Sequence, residues 1–142
     1  MGAERAPQSL AKLQSLKNNK NSAEYLLLQR EKATISDIKG KEWSSAFKQK
    51  AIDTYYEFRK DGIELTDHGV ASLLDRFRDK KEVIKNICIN MPFNYVQNDG
   101  RRIKFYDTIE VVYLKDTDEV VSVVGRPTAK EDWSEIGNTD NV

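Results

Sequence analysis

Apolar residues along this chain recur first every three or four positions and later in short runs rich in β-branched and aromatic residues. The change of character near Met91-Pro92 divides the chain into a helical half and a strand half. Ser22 to Lys32 reads as a helix capped by the Ser22 hydroxyl, with Tyr25-Leu26-Leu27-Leu28 as its apolar body and Ile35 to Gly40 breaking it. Glu42 to Lys60 carries Trp43, Phe47, Ala51, Tyr55 and Phe58 at helical spacing, a core stripe that Asp61-Gly62 stops. Ile63-Glu64-Leu65 is a short extended entry to a third helix, for which Thr66 is the N-cap. Val70, Leu73, Leu74 and Phe77 form the buried stripe of that helix. At about 100° per residue, His68, Ser72, Asp75 and Arg76 fall on its polar side. Lys80 to Asn90 repeats the helical spacing with Val83, Ile84, Ile87 and Cys88, and Met91-Pro92 ends it.

The remainder reads as β. Phe93 to Gln97 is a strand, Asn98-Asp99-Gly100 a hairpin turn, Arg101 to Tyr106 a strand of alternating basic and apolar residues, and Thr108 to Leu114 a β-branched strand. Asp116-Thr117-Asp118 then turns the chain into Glu119 to Gly125. Helices followed by short-turned strands predict an α+β domain, with N-terminal helices packed on one face of a roughly four-stranded antiparallel meander. Residues 1–21, rich in Lys, Asn, Gln and Ser, read as a linker or weakly ordered segment. Residues 22–136 read as a single domain, with helices in 22–90 and sheet in 93–126; Trp133 and Ile136 are expected to tuck onto its body, and residues 137–142 to form a loose tail. The abrupt start reads as a fragment from the end of a longer protein, with an added Met.

Composition narrows the chemistry. The 142 residues suit one domain, and no apolar run approaches the roughly 20 residues that span a bilayer. The opening Met1-Gly2-Ala3-Glu4-Arg5 lacks the basic-then-apolar pattern expected of a secretory signal. One cysteine, Cys88, allows no internal disulfide and reads as inert packing; with one histidine it argues against a zinc site of those ligands. The formal net charge is zero, which speaks against blanketing nucleic acid by bulk electrostatics. The middle is nevertheless basic, with Arg76, Arg78, Lys80, Lys81, Lys85, Arg101, Arg102 and Lys104 set against an acidic tail. That pattern fits a local basic surface or an ordinary solvated face.

There is no glycine-rich phosphate loop, paired metal motif or nucleophile elbow. What remains is proton transfer by His68 assisted by arginines, the requirement for cleaving RNA without a metal. A base takes the ribose 2′-hydroxyl proton, the oxygen attacks phosphorus, and an acid protonates the leaving 5′-oxygen. Histidine titrates near neutrality, and arginine's planar fork grips phosphate. Arg76, Arg126, Ser122 and Thr128 are candidates for the phosphate shell, Tyr106 and Tyr113 for stacking or donation, and Arg101, Arg102 and Lys104 for backbone contacts. Each has a structural reading too: a lone histidine at a helix start, Arg76 and Arg78 paired with nearby acids, and a small serine in a strand.

Leu65-Thr66-Asp67-His68-Gly69 with Leu73-Leu74-Asp75-Arg76, followed by a meander closing on Val120-Val121-Ser122-Val123-Val124-Gly125-Arg126, resembles the barnase/EndoU/colicin E5–D/RelE-like ribonucleases. It is similar in particular to the C-terminal toxin domains of bacterial polymorphic toxins of the contact-dependent inhibition and LXG types. The resemblance covers Leu65 to Arg126. It implies an RNA substrate (often tRNA), a cognate immunity protein, and delivery within a larger toxin to the target-cell cytoplasm. It implies no cofactor or metal and no membrane insertion by this domain. It also implies His68 as acid or base, Arg76 as phosphate partner and Ser122 as the last-strand hydroxyl, with Arg126 in support. Substrate contacts are then expected from Arg78, Arg101, Arg102, Lys104, Thr108 and Thr128. The single histidine departs from a two-histidine mechanism, leaving Tyr106, a lysine or solvent as the second acid–base. The competing readings are a non-catalytic phage-associated or binding module with a structural His68, and a DNase of the same fold.

Overall fold

A computed structural model describes residues 22–136; the expected linker and loose tail lie outside that span. The chain divides into two compact units, Met1–Gly40 and Lys41–Val142, a division that falls inside the span expected to be one domain. In the first unit, helix α1 runs over Ala23–Lys39, and the Ser22 hydroxyl accepts from the Tyr25 amide at 3.1 Å. The helix continues through the Ile35–Lys39 stretch expected to break it. The isoleucines and serine there cost only tenths of a kcal/mol in helix propensity, and the first true stop is Gly40. The expected apolar body is exposed at Leu26, Leu27 and Leu28.

The second unit begins with α2 (Ser45–Lys60), capped by Ser44, whose buried residues Ala51, Thr54, Tyr55 and Phe58 keep helical spacing. Its end is a Schellman turn. Gly62, at φ +83°, donates to the Arg59 carbonyl and Ile63 donates to that of Phe58. Strand β1 (Glu64–Leu65) leads into α3 (Asp67–Arg76); a short 3₁₀ turn, Arg78–Lys80, leads into α4 (Lys81–Asn90). Lys85 ties α4 to α2, with its ammonium 2.9 Å from Glu57 and 3.1 Å from Asp61.

Strands β2 (Tyr95–Val96), β3 (Arg102–Tyr106), β4 (Ile109–Tyr113) and β5 (Glu119–Gly125) form the expected meander. The sheet is larger than a meander, however. Among the described residues it has six strands in the order β1-β5-β4-β3-β2-β6, with β6 at Ser134–Glu135. It is also mixed, because β1 pairs parallel to β5. Both added strands have two residues, too few for any period to show in sequence. The fold is α+β, with its helices ahead of the meander. Lys104, Val111 and Val123 share one sheet face by register, and Lys104 reaches the Cys88 carbonyl of α4. That is the helix-bearing face, and Ile103, Val112 and Ser122 alternate onto the other. The core gathers Tyr55, Phe58, Leu65, Val70, Leu73 and Val120, all fully buried.

Candidate functional site

Helix α3 starts where the sequence places it. The Thr66 hydroxyl accepts from the Gly69 amide at 3.0 Å, setting Asp67 and His68 in the first turn. Gly69, Val70, Leu73 and Leu74 are buried, whereas His68, Asp75 and Arg76 are exposed. The helix lies unusually close to β5: a Cβ on Gly69 would stand 2.4 Å from the Val120 carbonyl oxygen, so only glycine fits. One turn on, the Ser72 hydroxyl accepts from the Val123 amide at 2.9 Å and donates to the Gly69 carbonyl at 3.1 Å.

Opposite this helix, β5 carries a bulge. Tyr113 pairs with Val120 but Val112 pairs with Ser122, leaving Val121 as the extra residue. Val121 and Ser122, consecutive in sequence, consequently both line the same hollow. The third wall is Arg101, which follows the turn at Gly100 (φ +91°). Its amide donates to the Asp99 carboxylate at 3.0 Å, and its guanidinium lies 3.6 Å from that group. These backbone and Gln97 side-chain hydrogen bonds hold the Asp99 carboxyl below the usual range. The result is an open groove of about 480 Å³ in which His68, Ser72, Asp75, Arg76, Arg101 and Ser122 meet.

Two guanidinium groups, an imidazole and one carboxylate thus share the groove. Among the described residues, no hydrogen bond or ion pair engages the side chains of Asp75 and Arg76, so the structural pairing considered for Arg76 does not form. Beside His68, burial works to raise the Asp67 carboxyl, but the Lys41 ammonium at 2.8 Å outweighs it, with help from His68, and holds it below its ordinary value. The arrangement can grip an anion and move protons at one edge of it. No three His, Cys, Asp or Glu side chains gather into a metal-ligand group among the described residues.

The other nominated residues lie elsewhere. Alternation along β3 turns Arg102, Lys104 and Tyr106 toward the helices, away from the face that Ser122 occupies. Lys104 is buried; its ammonium donates to the Cys88 backbone carbonyl in the last turn of α4 at 2.7 Å and sits over the rings of Phe93 and Tyr113. Desolvation lowers its pKa. Arg102 stacks 4.0 Å over Phe93 and donates to the Thr117 carbonyl at 2.6 Å. The Tyr106 hydroxyl donates to the Pro92 carbonyl and does not line the groove, and Tyr113 is buried against Phe93. Arg126 is paired at 2.7 Å with the buried Glu110, and Arg78 donates to the Leu74 carbonyl. Thr108 sits at the β3–β4 turn, its hydroxyl donating to the Asp107 carbonyl, and Thr128 is exposed in the loop after β5; neither lines the groove. Burial raises the Cys88 thiol pKa, in keeping with an inert residue.

The basic middle of the sequence is therefore not one surface. Lys81 and Lys85 bind Glu57, while Arg76 and Arg101 face the groove. Sequence reasoning put Asp75 on the right side of α3 but gave it no chemical part. The bulge that re-aims Val121 and Ser122 left no local signal at all. Compared with protein-family models, curated proteins and solved structures, the chain matches none.

Proposed function

We propose that the α3–β5 groove is the active site of a metal-independent endoribonuclease. The observation that carries this reading is the meeting of His68, Arg76, Arg101 and Ser122 in one open hollow. In the reaction a base accepts the 2′-hydroxyl proton as the oxygen bonds to phosphorus. The phosphorus–5′-oxygen bond breaks, and an acid delivers a proton to that oxygen, leaving a 2′,3′-cyclic phosphate and a 5′-hydroxyl. His68 serves as one proton-transfer group. Asp75 takes the complementary part, since Tyr106 is engaged elsewhere. Arg76 and Arg101 grip the equatorial phosphate oxygens, and the Ser122 hydroxyl donates beside them. Action on RNA (possibly tRNA) in a target-cell cytoplasm, delivery within a larger toxin and restraint by a cognate immunity protein complete the proposal. These last parts rest on the resemblance rather than on geometry.

The test is incubation of the purified chain with total bacterial RNA in EDTA, with mapping of the new ends. The expected product carries a 2′,3′-cyclic phosphate, and His68→Ala loses about 10²-fold or more of the rate while staying folded. Undiminished cleavage by His68→Ala, or cleavage that EDTA abolishes, overturns the assignment. One observation favours a second reading, a non-catalytic binding module: no carboxylate or carbonyl among the described residues is hydrogen-bonded to the His68 ring to orient it. A wild-type chain that binds RNA without ever cutting it decides for that reading. Plasmid and tRNA incubated side by side separate RNase from DNase.

A further inference from the structure

We propose that Ser72 is the positioning residue of this groove, the side chain that sets the His68–Arg76 face at its working distance from Ser122; the inference rests on the nuclease reading above. His68, Ser72 and Arg76 stand at four-residue steps, so they form one row along α3 with about 6 Å between neighbours. Ser72, in the middle of the row, is the member whose side chain is tied to the opposing strand.

The tie replaces a missing strand. Among the described residues, β1 pairs with β5 only at Glu119 and Val120, and beyond them the outer edge of β5 has no neighbouring strand. The Val123 amide on that edge donates to the Ser72 hydroxyl instead. The same hydroxyl spends its own hydrogen on the Gly69 carbonyl, so its donor and an acceptor site are both occupied and it is not poised to act on substrate. Close approach at Gly69 sets the depth of the helix, and the Ser72 bond sets its position along the strand. Ser122 is next to Val123. The bond therefore holds the His68 and Arg76 turns against the stretch of strand whose Ser122 lines the same groove.

The experiment compares wild type, Ser72→Ala and Ser72→Thr on an RNA fragment carrying the mapped cleavage position. Threonine keeps a hydroxyl able to bond a carbonyl one turn back in a helix. Ser72→Ala is expected to lose about ten- to a hundredfold in kcat with KM changed by less than about threefold, since binding survives a shift that spoils alignment. Its Val123 amide exchanges faster with solvent, whereas Ser72→Thr restores most of kcat and the amide protection. Wild-type kcat in Ser72→Ala overturns the proposal, as does a loss confined to KM or a Ser72→Thr as slow as Ser72→Ala with the amide still protected. If Ser72→Ala does not fold, Ser72→Cys stands in under the same criteria. A wild-type chain that cleaves no RNA sinks the nuclease reading itself, whereas a fully active Ser72→Ala sinks only the positioning role.

Discussion

Arg101 and Lys104 carry the same charge three positions apart, yet their surroundings give them opposite work. Arg101 follows a turn and reaches the groove; Lys104 is buried, where it satisfies a carbonyl in the last turn of α4 and packs on two aromatic rings. A basic side chain is thus informative only once its strand parity is known. Asp67 offers a test at this scale. The Lys41 pair holds its carboxyl below the ordinary value, so the folded state binds that proton less readily than the unfolded chain does. The stability it contributes is present above the unfolded value near 4 and is lost as pH falls through the lowered folded value. Urea unfolding of wild type and Asp67→Asn at several pH values should accordingly show a stability difference at neutral pH that shrinks below about pH 4. A pH-independent difference would mean the carboxylate charge contributes nothing.

Among the elements, α3 and β5 form the pair on which the site depends, and both were legible in part. The Thr66 cap and the 3.6-residue period locate α3 and its polar face, because both signals lie within a few residues of one another. The extent of β5 was legible too. Its bulge was not, since it arises from how β5 registers against β4, and it sends Val121 and Ser122 into one hollow. The β3–β4 hairpin carries strain of a local kind. Its two turn residues, Asp107 (φ 54°) and Thr108 (φ 60°), both have positive φ, the pattern of a tight hairpin turn that favours glycine. A β-branched threonine there costs about 1–2 kcal/mol, and glycine gives part of that back through the entropy of its unfolded chain. Thr108→Gly is expected to stabilise the protein by about 0.5–1 kcal/mol, read as a higher denaturant midpoint at unchanged slope. A lower midpoint would show that threonine gains something at the turn beyond its backbone geometry.

For the whole molecule, charge is the quantity that separates a focused site from a basic coat. The net charge is zero, and two arginines, Arg76 and Arg101, line the groove. If those two carry phosphate binding, log K for single-stranded RNA should fall with log salt at a slope of about −1.4. A slope steeper than about −4 would instead point to a broad basic surface. What the sequence by itself determined is what short-range physics controls: the capped helices, the Schellman stop at Gly62, the meander and the polar side of α3. The two-residue strands β1 and β6, the parallel pairing, the bulge, and the sorting of basic residues between groove and helix layer were decided only in the tertiary structure. The reason is physical. Periods and caps act over one or two turns of chain, whereas a strand's partner and the face each side chain takes depend on hydrogen bonds to residues far away in sequence, such as Val123 to Ser72.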